Sequence, residues 1–363
     1  MTWLTVLELA IKITVVLLFI TVTVLVLTYL ERKVLGRIQN RLGPMRTGPW
    51  GIMQPIADAI KLLVKEDLMP TMTDKVVFWL APLVVFVPAF LIWVTIPFTQ
   101  DLVVRHLDLG VFYIIAVSVV SIVGMVMAGW GSANKYALLG GARAAAQLIS
   151  YELPLIVVFL GVAMMAQSLN LKEIVALQDP WPYALIQPLG FFIFFMAGLA
   201  EVSRIPFDIP HAESEVMGGP FIEYSGMHWA MFFLAEYANT FAIAALTVLL
   251  FLGGWNGPIL PPIVWFMLKC YAIILVIFWM RATLPRFRID QLMAFAWKVL
   301  LPVSFLNILI VAFYVYYRWP IALASLLSLL ATVVMGYAIY KSQRKAITYY
   351  LMAGAHARRR SLA

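Results

Sequence analysis

The sequence predicts an all-α protein, a polytopic membrane bundle of about nine transmembrane helices. Of its 363 residues, 63% are hydrophobic and only 12% are charged, whereas about 45–50% of a soluble domain is apolar. The apolar residues form repeated runs of roughly twenty, the length of helix that crosses a hydrocarbon core of about 30 Å. These runs lack the strict alternation of membrane β-barrel strands. Because backbone amides in lipid must be paired within their own segment, helices are the expected spanning elements.

Nine apolar runs have the length and composition of a membrane span. They cover roughly residues 9–30, 76–97, 111–130, 144–166, 183–200, 228–252, 262–281, 293–317 and 319–340. The first residues, MTWLTVLELAIK, lack the basic segment and cleavage site of a signal peptide, so we expect a retained helix. No internal repeat is visible, which argues against an inverted-repeat transporter. We divide the chain into an eight-helix membrane core, residues 1–318, and residues 319–363, which add a ninth helix and a basic tail.

The distribution of basic residues predicts the orientation of the bundle. With the N-terminus outside, 20 of the 26 Lys and Arg residues fall in the loops and tail on the inner side. Inner loops of membrane proteins are enriched in these residues, so the long loops and the C-terminus are expected to be cytoplasmic. The net charge of +8 is then a signal of topology, and no nucleic-acid partner is expected.

Residues 50–66, WGIMQPIADAIKLLVKE, predict a short amphipathic helix that lies in the membrane interface. The polar side chains share one helical face, and the opposite face holds Met53, Ile56, Ala57, Ile60, Leu63 and Val64. Such a helix can simply float at the interface. Beside a membrane cavity, it can instead roof an opening for a lipid-soluble molecule.

Residues that bind metals are sparse in this sequence. The single cysteine, Cys270, excludes a self-contained iron–sulphur cluster, which needs several thiolates. The histidines are far apart and in unlike contexts, so no metal or haem site is expected from His106, His211, His228 and His356. No glycine-rich phosphate loop follows a strand. Any redox metals and nucleotides are therefore expected in partner proteins.

The most unusual stretch is 201–223, EVSRIPFDIPHAESEVMGGPFIE, which carries five carboxylates and one arginine between two predicted spans. Further acids lie within neighbouring spans, where carboxylates are costly and normally face a water-filled cavity or a partner. Burial beside like charges raises the pKa of carboxyl groups toward neutrality. We expect a buried chain of proton-carrying acids, made of Glu213, Glu215, Glu223, Glu201, Asp208, Glu152 and Glu236. The alternatives are a solvated acidic loop and, for Glu152, an ion pair with a lysine of another helix.

Six segments resemble one protein family in their order and spacing: ERKVLGRIQNRLGP, QPIADAIKLLVKE, ARAAAQLISYELP, AEVSRIPFDIPHAESE, IEYSGM and RATLPRFRIDQLM. Over roughly residues 20–315 the chain is similar to the H subunit of respiratory complex I. That family is the membrane component of the proton-pumping NADH:quinone oxidoreductase at the foot of its peripheral arm. The resemblance implies an enzyme subunit of the bacterial inner membrane that brings no metal, flavin or haem of its own.

The resemblance also implies a cavity for a quinone headgroup, with an opening from lipid beside the amphipathic helix. Arg32, Arg41, Trp50 and Arg281 would line or support this cavity. The acids named above would lead from it toward antiporter-like subunits of the membrane arm. Quinone is the implied substrate, and FMN and iron–sulphur clusters would belong to partner subunits, including the peripheral-arm subunit with the terminal cluster. Small membrane subunits and the lipid bilayer would be further partners.

The sequence departs from the family pattern in three places. His211 stands where a Glu is usual, which replaces one carboxylate by a group with an ordinary pKa of about 6.5. Met45 stands where an Asn usually follows Gly43-Pro44. The ninth span and the basic tail extend beyond the common core.

Three other functions remain open from the residues alone. The membrane anchor of an energy-converting hydrogenase shares the acidic loop but need not bind quinone. A stand-alone proton or cation transporter would account for Glu152, Glu236 and Lys269 within spans, and both Lys269 and Lys298 are candidates for charge compensation or a proton relay. A passive anchor would explain the arginine-rich loops but not the clustered acids. The first loop and the amphipathic helix favour the quinone-site and coupling subunit.

Overall fold

The structure, a computed structural model, describes residues 3–210, 213–337 and 341, and for residues 4–6, 213 and 214 it describes the backbone alone. All regular structure within these residues is helical. The helices are α1 (Trp3–Ile38), α2 (Gln54–Val64), α3 (Lys75–Leu91), α4 (Gly110–Gly131), α5 (Lys135–Ala166), α6 (Leu171–Ala176), α7 (Tyr183–Ile186), α8 (Pro188–Glu201), α9 (Glu213–Val216), α10 (Gly226–Phe251), α11 (Pro262–Thr283), α12 (Ile289–Phe295), α13 (Leu301–Tyr317) and α14 (Ile321–Tyr337).

These helices confirm the predicted all-α membrane bundle. Seven stretches of the described chain are long and apolar enough to cross a membrane: Leu7–Ile38, Lys75–Val94, Gly110–Gly131, Lys135–Ala166, Gly226–Phe251, Pro262–Thr283 and Ile289–Tyr317. The two remaining predicted spans correspond to shorter apolar helices, α8 and α14. The amphipathic helix is present as α2, within the predicted residues 50–66.

Two helices extend further than the sequence predicted. α1 continues to Ile38, so Glu31 and Arg32 lie on a helix rather than in a loop. α5 begins at Lys135 because the Asn134 side chain caps it, accepting a hydrogen bond from the Tyr136 amide at 2.9 Å. Glu152, which is near the start of the predicted span 144–166, therefore lies near the middle of α5.

Two prolines explain irregular helix geometry. The predicted span 183–200 is interrupted at Gln187, which precedes Pro188. A residue before a proline is disfavoured in the helical conformation. Between α12 and α13, residues Ala296–Leu300 form a π-helical segment. Pro302, just beyond it, cannot donate to the helical ladder, and the wider turn accommodates that loss.

The packing places α10 at the centre of the bundle. It is the most buried of the long helices, with α5 next, and both contact several neighbours. α14 packs on the same bundle: Ala324, Ser328 and Met335 are buried, and the Ser328 hydroxyl donates to the Ile186 carbonyl at 3.4 Å. The ends of α1, α8 and α11 and the start of α10 meet at one end of the bundle, which is where the charged residues gather.

Candidate functional site

A buried group of charged residues lies where the C-terminal ends of α1, α8 and α11 meet the first half of α10. We call it the charge cluster, and it consists of Glu31, Arg204, Glu236, Tyr237 and Arg281. Arg204 is only 3% exposed; its Nη1 lies 3.5 Å from Glu31 Oε2 and its Nη2 lies 3.2 Å from Glu236 Oε1. Arg281 pairs with the other oxygen of Glu31. Ion pairs thus join four segments that are far apart in the sequence.

The charges in this cluster compensate one another. Moving an ion from water into the protein interior costs several kcal/mol, and only counter-charges close to the ion can offset that cost. Burial disfavours the Arg204 cation, but the carboxylates of Glu236 and Glu31 outweigh burial, so the pKa of Arg204 lies above its ordinary value. Tyr237 completes the cluster: its hydroxyl donates to Glu31 at 2.7 Å, and the Arg204 guanidinium lies 4.3 Å from the centre of its ring.

The charge cluster borders a cavity of about 200 Å³, which we call the polar cavity. Arg204, Asp208, Glu236, Tyr237 and Arg281 line it, together with aromatic side chains that include Trp229 and Phe233. A cavity of this size and polarity has room for several water molecules or for a small polar headgroup. It brings together two predicted acids and one predicted quinone-cavity arginine.

A second cavity, of about 90 Å³, lies deeper in the bundle between α3, α4, α5, α8 and α10. We call it the membrane cavity. Its lining is mostly apolar but includes Glu152, Glu201 and Glu236, and the Ser118 hydroxyl donates to Glu152 at 3.4 Å. Glu236 lines both cavities. The structure thus brings Glu152, Glu201, Glu236 and Asp208 around two neighbouring cavities that share one carboxylate.

Two further predicted acids, Glu215 and Glu223, have polar partners outside the two cavity linings. Glu215 accepts from Arg143 Nη1 at 2.7 Å, and Glu223 accepts from Asn134 Nδ2 at 2.6 Å. Asp208, besides lining the polar cavity, accepts from Arg286 Nη2 at 2.8 Å. Glu213 begins α9, but its side chain lies outside the described residues, as does all of His211. Glu215 is exposed and Glu223 is half-buried.

Of the four predicted quinone-cavity residues, Arg281 lines the polar cavity. The other three surround the junction of α1 and α2 and line neither cavity. Arg32 Nη1 lies 2.5 Å from Asp58 Oδ2 and so joins α1 to α2. Trp50 exposes 73% of its surface, while its carbonyl accepts from the Tyr29 hydroxyl at 3.0 Å. Arg41 is exposed and donates to the Gln39 side chain at 2.7 Å.

Glu31, Arg204 and Tyr237 were not among the residues predicted for the site. Glu31 stands beside the basic residues Arg32 and Lys33, yet it is 3% exposed. A lone carboxylate one position beyond an apolar span was the available signal, as was a lone arginine among five acids. Lys269, a candidate for charge compensation or a proton relay, donates from its ammonium group to the carbonyls of Leu252, Gly254 and Asn256 at 2.7–3.0 Å. It caps the C-terminal end of α10.

Comparison with known proteins identifies the family. A family model described as NADH dehydrogenase matches residues 11–312. The NADH-quinone oxidoreductase H subunit of Dehalococcoides mccartyi strain CBDB1 is 51% identical over 318 residues, which are 88% of this chain and 90% of the relative. The chain belongs to the family of NADH-quinone oxidoreductase H subunits. The H subunit of Geobacillus thermodenitrificans strain NG80-2 is 50% identical over 309 residues, 84% of this chain and 92% of the relative. The H subunit numbered 2 of Syntrophobacter fumaroxidans is 46% identical over 308 residues, which are 82% of this chain and 93% of the relative.

Membership in the H-subunit family makes the chain a membrane component of a complex I enzyme, as the sequence resemblance predicted. It favours this assignment over a hydrogenase anchor or a separate transporter, because relatives of that name match most of the chain. Among the described residues, no group of three or more His, Cys, Asp and Glu side chains could hold a metal ion.

Proposed function

We propose that this chain forms part of the site where complex I reduces quinone, and that it couples this reduction to proton movement through its buried carboxylates. The observation that carries the proposal is the position of Glu236, which lines both the polar cavity and the membrane cavity. A change of charge in the polar cavity therefore acts electrostatically on Glu236, which also faces the membrane cavity. The names of the relatives supply the substrate, a quinone.

The charge cluster is suited to respond to the charge of a reduced quinone. With both carboxylates ionised, two guanidinium groups balance Glu31 and Glu236, and Arg204 is held between them. A new negative charge in the polar cavity would compete for Arg204 and Arg281 and would favour the protonated form of nearby carboxylates. Proton uptake by Glu236 is the expected consequence. Because Glu236 also faces the membrane cavity, which has room for water, we expect its proton to pass toward Glu201 and Glu152 there.

The access route for quinone would lie beside α1 and α2. Apolar side chains of α2 are exposed, including Ile60, Leu63 and Val64, as expected for a helix whose face rests on lipid or roofs an opening. Arg32 and Asp58 hold α2 against α1. We assign Arg32, Trp50 and Arg41 to this access region and Arg281 to the headgroup cavity.

The assembly follows from the same proposal. The acidic end of the bundle would face the cytoplasm and the peripheral arm, whose subunits carry the FMN and the iron–sulphur clusters. The acids would lead toward the antiporter-like subunits of the membrane arm, with small membrane subunits alongside. The N-terminus would be outside, and the bundle would lie in the bacterial inner membrane.

The variant Glu236→Gln tests the proposal. It keeps the size and the hydrogen-bonding oxygen of the side chain but cannot carry a proton. In liposomes that contain the whole complex, we expect the rate of NADH:quinone reduction or the rate of proton pumping to fall about a hundredfold, the smaller end of what loss of a proton-transfer group costs. Glu173→Gln, which neutralises an exposed carboxylate on α6, is the control. If Glu236→Gln matches the native complex in both quantities, the proposal is wrong.

A further inference from the structure

One buried side chain of α5 holds the acidic segment in place. Gln147 is 1% exposed, and its single amide nitrogen donates to the carbonyls of Ala200 and Phe207, each at 2.7 Å. These two carbonyls immediately precede Glu201 and Asp208. The same nitrogen therefore ties together the backbone on both sides of the turn that carries the two acids.

The orientation of this amide is determined by its neighbours. Both nearby groups are carbonyl acceptors, and an amide turned the other way would bring three oxygens together without a hydrogen. The side-chain oxygen of Gln147 has no hydrogen-bond partner among the described residues. Both N–H donors of the Gln147 side chain are thus used in hydrogen bonds to the turn.

Other hydrogen bonds in this turn are mostly local. The amides of Val202, Ser203, Arg204 and Phe207 donate to carbonyls three to five residues earlier in the chain. Local bonds shape a turn but do not fix it against the bundle. A bond from the Phe287 amide to the Pro206 carbonyl at 3.0 Å anchors the turn to the segment after α11, and Gln147 anchors it to α5.

We propose that Gln147 is a positioning residue for proton transfer, which sets the separation and direction of Glu201 and Asp208. Glu201 faces the membrane cavity and Asp208 faces the polar cavity. Proton transfer requires hydrogen-bond reach, directly or through one water, so a small displacement of either carboxylate interrupts it. The inference rests on the proposed function, since it assigns a role in the same chain of acids.

The test compares Gln147→Met with a matched glutamine. Methionine keeps the length and the bulk but removes both donors. The control is Gln178→Met: Gln178 is 3% exposed, and its nitrogen donates to the carbonyls of Ile174 and Leu249 at 3.3 and 2.7 Å, far along α10 from the acids. Gln147→Met loses two buried hydrogen bonds. Gln178→Met loses two as well, together with those that the Gln178 side-chain oxygen accepts from the amides of Gly253 and Tyr183 at 2.8 and 3.5 Å, so the control is at least as disruptive to packing. We expect Gln147→Met to lower proton pumping by the whole complex at least tenfold and Gln178→Met to change it less than twofold. Equal losses in the two variants would leave Gln147 with a structural role alone.

A second variant, Gln147→Glu, gives a readout that a merely structural role would not move. A neutral carboxyl can still donate one hydrogen bond to the turn, whereas the ionised form would place its oxygens against two carbonyls. Activity relative to the native complex should therefore fall as the pH rises, while the relative activity of Gln147→Met should not change with pH. A flat profile for Gln147→Glu overturns the proposal, and this profile decides the matter if Gln147→Met fails to assemble.

The outcomes for the two proposals are separable. Native behaviour of Glu236→Gln removes the coupling function proposed above. A defective Glu236→Gln with a native Gln147→Met removes only the positioning role.

Discussion

At the scale of single residues, charged side chains inside this bundle have two kinds of role. In the charge cluster, Arg204 lies between Glu31 and Glu236 at an internal cavity. Lys269 is also part of a membrane helix, but all three of its hydrogen bonds end at backbone carbonyls. The sequence shows a charge within a span in both cases. Only the partner reveals whether the charge can respond to a substrate or simply completes a helix end.

This difference predicts the behaviour of Lys269→Met. The three carbonyls lose a charged donor, and since each hydrogen bond to a charged group contributes about 1.5–3 kcal/mol, we expect the variant to lose at least about 2 kcal/mol of stability. Proton pumping per electron should stay at the native value, because Lys269 reaches neither cavity. Thermal unfolding of the purified complex and pumping in liposomes measure the two quantities. A loss of pumping at full stability would restore Lys269 as a relay.

At the scale of elements, the sequence predicted all nine apolar segments but not where the helices end. Helix ends depend on groups that hydropathy does not report, such as the Asn134 cap at the start of α5 and Pro188 at the start of α8. The extension of α5 matters for the site, because it carries Arg143, Gln147 and Glu152 on one continuous helix. The extension of α1 matters equally, because it places Glu31 on a rigid helix facing Arg204 and Arg281.

The contact between α5 and the acidic segment provides a prediction at this scale. A Cβ at Gly140 would lie 2.4 Å from the Gly219 Cα atom, and Gly219 itself has a φ of +65° that disfavours any side chain. Gly140→Ala should therefore push the segment away from α5, at a cost of about 1–3 kcal/mol, typical of overpacking. The Arg143–Glu215 pair should loosen with it.

Gly161→Ala on the same helix is the control for this substitution. Its new Cβ would meet the Asn307 amide at an ordinary distance of 3.6 Å, so we expect native stability or a small gain in helix propensity. Thermal unfolding of complexes carrying either variant makes the comparison. Equal stability of the two would show that the segment can move away from α5 without cost.

At the scale of the whole molecule, the bundle has the charge cluster near one end and an additional helix, α14, packed on it. α14 buries Ala324, Ser328 and Met335, its Ser328 hydroxyl donates to the Ile186 carbonyl beside the α7–α8 break, and no residue of α14 lines either cavity. The division into a functional core, residues 1–318, and an added segment, residues 319–363, stays a prediction. The basic tail from residue 342 lies outside the described residues.

Truncation after Arg318 tests that division. We expect the shortened chain to assemble and to retain NADH:quinone reduction within about twofold, because no cavity-lining residue is lost. Its thermal stability should fall, since van der Waals packing between helices is what holds membrane bundles together. If the truncated chain does not accumulate, Ala324→Trp disrupts the same packing without removing residues. An assembled but inactive complex would contradict the division.

The sequence by itself determined the fold class of the protein, the approximate positions of its helical segments, its family and most of the acids that lie around the two cavities. These features follow from properties that act locally: hydrophobic runs must span lipid as helices, and the motif segments are contiguous in the chain. The tertiary structure decided which charges meet. Up to 250 positions of sequence separate the residues Glu31, Arg204, Glu236 and Arg281. They come into contact only when α1, α8, α10 and α11 pack together, and they must then pair because burying an unpaired ion is costly. The same packing decided that Glu236 faces two cavities and that Gln147 holds the turn between Glu201 and Asp208.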